Sequence, residues 1–247
     1  MSVKTGFNSL VITGIVMFSW MCVWQPTVAW PQRDSIPEGY PESLRKDLTS
    51  LFVKQAHNPD DIHVLLALSE VHLSMGDDLL TKKNERLSAY EMGVKYAQQA
   101  LAIQPENAEA HFLYAANLGN ATQIKGYAAG MMNVGEILSH VRTALALAPN
   151  HAPAHQMLGG LLAELPWMLG GDVEDAQAHL EKAIAIDEQY TNARILLAKL
   201  FIKQDKLQAA RDQLLAVIHA PTPHYPYTWK NQFLPEAQAL LKTIADH

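Results

Sequence analysis

Cysteine is nearly absent: Cys22 is the one thiol in 247 residues. That excludes an intrachain disulfide framework and a thiolate zinc site, which need several cysteines. Gly and Pro, 13 each, are too few for a collagen-like or linker chain. Positive charge is short as well. Against 25 Asp and Glu stand 19 Lys and Arg, a formal charge of −6. A nucleic-acid binder needs a basic face to neutralise phosphates, so nucleic acid is not an expected partner. No G-x-S-x-G, Walker loop or strand-borne G-x-G-x-x-G occurs, so the usual nucleophile and phosphate-cradle signatures are missing. Nor does any segment alternate apolar and polar residues over a strand's length.

What is present is a chain 49% hydrophobic and 18% charged, too apolar for disorder and long enough for one or two domains. Residues 10–24 form an apolar, uncharged run of fifteen, short of the ~20 that span a bilayer but suited to a signal-peptide core. Small residues in Thr27-Val28-Ala29 place cleavage after Ala29. Trp20 and Met21 stand where lipidation of Cys22 would need small residues. Residues 1–29 are thus an expected export signal, or an anchor if uncleaved. Either way the remainder is expected outside the cytoplasm, in the periplasm.

A repeat organises the rest. Ala100-Leu-Ala-Ile-Gln-Pro105, Ala144-Leu-Ala-Leu-Ala-Pro149 and Ala183-Ile-Ala-Ile-Asp-Glu188 each close an Ala/Leu-rich helical stretch. New helices are expected at Ile62, Ala108, Ala152 and Thr191, spaced 46, 44 and 39 residues apart. This resembles the tetratricopeptide repeat, a helix–turn–helix of about 34 residues. Its small residue falls on Ser69, Ala115, Gly159 and Ala198, and its large one on His72, Leu118, Leu162 and Phe201. A second small position falls on Ala100, Ala144, Ala183 and, less well, Val217. The expected fold is an all-α array of about four helix pairs over 58–221. A leading segment (30–57) and a C-terminal capping segment (222–247) would flank it, covering the ends of the stack.

The surplus residues fall between the two helices of the first three repeats, around 77–86, 119–136 and 164–172. Equivalent turns of a stack share one edge, so these elbows are expected to gather on one side. The first reads as a solvated turn. The second is Gly-rich and apolar and carries Met131 and Met132. The third carries Trp167, Met168 and Leu169, which either plug the core's end or line a pocket or partner surface.

The stretch 110–120, AHFLYAANLGN, and the turn from Pro166 to Gly170-Gly171-Asp172 resemble the T component associated with tripartite ATP-independent periplasmic (TRAP) transporters. Eukaryotic regulators of microtubule dynamics carry a related array. The resemblance implies a non-enzymatic periplasmic accessory protein that partners a solute-binding protein, oligomerises and offers an apolar channel to a small molecule. The alternative is a general interaction scaffold of the cell envelope.

Met131, Met132, Trp167, Met168 and Leu169 are the expected apolar binding surface, and His111, Asn117, His155 and Arg194 its polar complement. The position that carries Trp in the family consensus holds Leu65, His111, His155 and Arg194 here. Such residues either line a wet groove or meet the neighbouring helix. His151 and His155 have metal-ligand spacing, but Ala152 and Pro153 replace the usual glutamate, so no metal, cofactor or catalytic residue is expected. Tyr225, Tyr227 and Trp229 form an aromatic cluster that either packs on the last repeat or meets a partner.

Overall fold

The computed structural model describes residues 35–245. The expected export signal and Cys22 lie outside the described residues. Helices follow in the order α1 (Ser43–His57), α2 (Ile62–Ser74), α3 (Lys83–Ile103), α4 (Ala108–Lys125), α5 (Tyr127–Leu147), α6 (Ala152–Glu164), α7 (Val173–Ile186), α8 (Thr191–Lys203) and α9 (Leu207–Ile218). After them come a single turn α10 (Pro226–Thr228), a wider turn (Trp229–Phe233) and α11 (Leu234–Ala245). No strand occurs among the described residues. The all-α repeat array read from the sequence is the fold observed.

One turn recurs at each repeat junction and explains the phasing. The amides of Asp61, Asn107, His151 and Tyr190 donate to the carbonyls three residues back, at 3.3, 3.2, 3.2 and 3.0 Å. Asp61 then accepts from the His63 and Val64 amides, Asn107 from Ala110 and His151 from Ala154. Each cap satisfies amide donors that a helix start leaves orphaned.

The pairs α2/α3, α4/α5, α6/α7 and α8/α9 stack in order, and α2, α4, α6 and α8 form the inner row. Close approach needs small residues where the helices cross. Ser69, Ala115, Ala198, Ala100, Ala144 and Ala183 lose all their surface. At Gly159 a Cβ would meet Leu180 at 2.7 Å and the Ala176 carbonyl at 2.9 Å.

Two of the three insertions differ from expectation. The second is spent on helix: α4 runs to Lys125, α5 starts at Tyr127, and Gly126 alone, at φ 96°, makes the turn. Its Ala and Met content favours helix, and glycine alone tolerates that backbone well. The first insertion is a tied polar turn (Met75–Leu79) rather than a solvated one. Arg86 Nε donates to the Gly76 carbonyl at 2.8 Å, and the Tyr90 hydroxyl donates to Asp77 at 2.7 Å. The third holds a short turn (Trp167–Leu169) closed by Gly170 at φ 90°. The Gly171 amide donates to the Pro166 carbonyl at 3.1 Å, and a Cβ there would lie 1.8 Å from the Leu165 carbonyl. Asp172 caps α7 through the Glu174 and Asp175 amides. The Gly-Gly-Asp sequence is thus a backbone requirement of the elbow.

Beyond α9 the chain turns back across the inner row. The His224 amide donates to the Gln189 carbonyl at 3.1 Å, and Trp229 Nε1 to the Val217 carbonyl at 2.8 Å. α11 then covers α9, burying Ala237 and Ile244.

Candidate ligand cavity

The inner row and the returning chain enclose a cavity of about 970 Å³, within the size range of small-molecule sites. Its apolar walls come from Val71, Ala116, Val134, Met157, Leu161 and Leu196. Segments of all three insertions border it, through Asp77 and Asp78, Tyr127 and Met131, and Leu165 and Leu169. The elbows therefore do gather on one side.

The returning segment, residues 224–233, forms a strap over the cavity. It is held at both ends of the array. Near α8, the ring of Tyr225 lies 5.9 Å from that of Tyr190, and His224 Nδ1 is 2.5 Å from Asp187 Oδ2. Burial would raise the Asp187 carboxyl, but the His224 contact and the Gln189 amide outweigh it and hold it below its usual value. Near the N-terminal end, Tyr227 meets Tyr40 edge-on at 5.1 Å, and Thr228 Oγ1 donates to Asp78 at 3.1 Å. Tyr40 also donates its hydroxyl to Asp78.

This end of the cavity is polar. Asp77 faces the cavity yet is hemmed in by protein, and that desolvation pushes its carboxyl up to about 6. The Tyr90 hydrogen bond opposes the rise, neighbouring Asp78 adds to it, and Arg86 also opposes it. Asp78 is raised by burial against the hydrogen bonds from Tyr40 and Thr228.

The sign of the Asp77 linkage follows. The folded-state value lies above the unfolded value of 3.8, so the folded chain holds extra proton between pH 4 and 6 and is penalised by the charge above that window. Asp77→Asn keeps an oxygen for Tyr90 and Asn120. It is expected to stabilise the fold at pH 7.5 by about 1 kcal/mol, after discounting for solvent screening in the cavity. The gain should shrink steadily from pH 6 to below 4. Urea midpoints across that range check it, and a gain that grows with acid would overturn it.

The structure separates the expected binding residues into three groups. Met131 and Leu169 border the cavity. Met132, Trp167 and Met168 stand outward from its rim, at 83, 83 and 74% exposure. Asn117 is fully buried, bonded to Leu113 and Ser69. His111, His155 and Arg194 face away from the cavity and make one repeating clamp between the helices of a pair. His111 Nε2 reaches the Pro105 carbonyl at 2.9 Å, and its Nδ1 reaches His140 at 2.9 Å. His155 does the same with the Pro149 carbonyl and His179, at 3.0 and 2.8 Å. Arg194 binds the Glu188 carbonyl and Gln213. Of the two readings of this position, contact with the neighbouring helix is the one the geometry takes. His151 caps α6 and contacts Glu109 at 3.1 Å. Among the described residues no three His, Cys, Asp or Glu converge as a metal set.

Sequence reasoning missed Asp77, Asp78, Thr228 and Tyr40 as one cluster. Thr228 and Asp78 are 150 positions apart, and no local pattern links them. The aromatic cluster divides: Trp229 packs on the core, whereas Tyr225 and Tyr227 border the cavity.

An inner helical row with a covered groove defines a tetratricopeptide-type helical repeat protein, and a tetratricopeptide repeat family matches residues 168–225. The structure resembles that of TTC0263, a thermophilic tetratricopeptide protein of Thermus thermophilus. That match has a TM-score of 0.57 and 18% identity over 83% of this chain and 90% of that one. Residues 32–168 match the family described as "Regulator of microtubule dynamics protein 1-3", and the chain belongs to that family. It is 24% identical to regulator of microtubule dynamics protein 3 of Bos taurus over 77% of this chain and 44% of that protein. With protein 1 of the same organism the identity is 24%, over 60% of this chain and 52% of the relative. The chain thus spans about half the length of the curated relatives it matches. These matches lend no support to the T-component resemblance.

Proposed function

We propose that the protein is a non-catalytic binding and assembly module of the cell envelope. It holds a small apolar guest in the strapped cavity and meets a protein partner through the exposed rim beside it. The cavity of about 970 Å³, closed by the chain's own C-terminal segment, carries this reading, because enclosure suits a small molecule better than a long peptide. The export segment read in residues 1–29 supports the envelope location. Native mass spectrometry of the full chain with decanol should show one bound molecule that is released on unfolding. Failure to take it up would overturn the cavity reading.

The rim serves the scaffold half. Tyr127, Met132, Trp167 and Met168 are 74–84% exposed, and grouped exposed apolar side chains mark interaction sites. Trp167→Ala with Met168→Ala should leave stability within about 0.5 kcal/mol and abolish capture of the envelope partner. Unchanged capture by a folded variant would remove the rim from the proposal. The finer reading, a TRAP-transporter accessory subunit, rests on the Gly170-Gly171-Asp172 elbow. It requires capture of the transporter's solute-binding protein.

A further inference from the structure

The cavity is uneven in charge as well as in polarity. Asp47, Glu70, Asp77 and Asp78 line it, and Glu164 does so at the edge, where it is paired with Lys203 at 2.6 Å. Among the described lining residues Arg86 is the one Lys or Arg, and it is committed to the Gly76 carbonyl and the Tyr90 hydroxyl. Aromatic rings share the same walls, including Tyr40, Tyr127, Tyr225 and Tyr227. An aromatic face attracts a cation through its quadrupole, and it does so more strongly where water is scarce. Carboxylates in a partly desolvated site act in the same direction, and they oppose an anionic guest. The phenol of Tyr225 registers this field. Burial pushes it well above its ordinary value, and the negative charges of Glu70 and Glu109 push it further.

We propose that the guest is a cationic amphiphile: a compact amine or quaternary ammonium head held among the tyrosines and carboxylates, with an alkyl body along the apolar wall. This deepens the cavity reading and rests on it. Positive charge on the head is what the acid-rich lining selects, and a guest with a sulfate or phosphate head is disfavoured. The cavity's enclosure by the strap favours such a small molecule over a basic peptide.

Isothermal titration of the full chain with three ten-carbon probes below their micellar concentrations tests it. Decyltrimethylammonium should bind at least tenfold more tightly than decanol, and decyl sulfate more weakly than either. Asp47→Asn with Glu70→Gln should remove about tenfold of the cation's affinity and leave decanol binding unchanged. Should that pair fail to fold, Glu70→Gln alone should remove a smaller part of the same selectivity. Equal binding of all three probes would overturn the charge assignment and leave the cavity reading standing. Preference for decyl sulfate would overturn it too, as would unchanged cation selectivity in the folded variants. Binding of a lysine-rich decapeptide but of no alkyl probe would overturn the small-molecule class. Binding of nothing would overturn the cavity reading itself.

Discussion

Gly93→Ala is expected to cost about 3 kcal/mol of stability, at the upper end of ordinary overpacking. For a domain of this size that lowers Tm by roughly 6–12 °C. Gly93 lies in α3, where Asn117 of α4 and Ser69 of α2 converge. A Cβ there would sit 2.1 Å from Asn117 Oδ1 and 2.4 Å from its Cγ. The asparagine cannot swing away cheaply. Its Nδ2 lies 2.9 Å from the Leu113 carbonyl and 3.2 Å from the Ser69 hydroxyl, which in turn donates to the Gly93 carbonyl at 2.8 Å. All of this is buried, so moving the amide strands polar atoms away from water. Asn117→Ala should also destabilise. The pair Gly93→Ala with Asn117→Ala should lose less than the sum of the two by at least 1 kcal/mol, because the second change makes room for the first. Urea denaturation of the four proteins measures this coupling. A Gly93→Ala protein as stable as the parent would show that α3 and α4 do not approach this closely.

Much of this architecture was legible because tetratricopeptide stacking is written in local terms. The helix starts at Ile62, Ala108, Ala152 and Thr191 follow from a short turn, usually with a side-chain cap. The small positions follow from helix crossing. Both signals lie within a single repeat, so periodicity exposes them. The cavity was legible only in part. Placing all three insertions on one side located its rim, and Met131 and Leu169 were found that way. The polar positions were harder. In His111, His155 and Arg194 a polar residue at a repeated place suggests either a groove or a clamp, and only the partners His140, His179 and Gln213 decide. Those partners sit on the opposite helix, at separations of 29, 24 and 19 residues. The polar end of the cavity was not legible at all, because it forms only when the chain returns from α9 to meet the turn after α2.

That return gives the second large expected effect. Asp78→Ala removes the acceptor for both Thr228 and Tyr40, and with it the strap's polar hold on the N-terminal end. A hydrogen bond to a charged group contributes about 1.5–3 kcal/mol. Losing two should therefore raise the open population of the strap on the order of 10²-fold. The global fold should change far less. Burial already disfavours the Asp78 charge, so its removal relieves a penalty while it breaks the contact. The helices that carry the core, α4 to α9, do not depend on it. Hydrogen exchange should accordingly speed up at the amides of residues 224–233 and remain unchanged in α6 and α8. Dissociation of a cavity guest should quicken with it, since the guest leaves through the opened side. Thr228→Val alone should produce a smaller shift in the same direction, because Tyr40 still holds Asp78. If exchange in the strap does not respond to Asp78→Ala, then the His224–Asp187 contact and the seat of Trp229 on Val217 hold the segment by themselves, and guest exchange must follow another route.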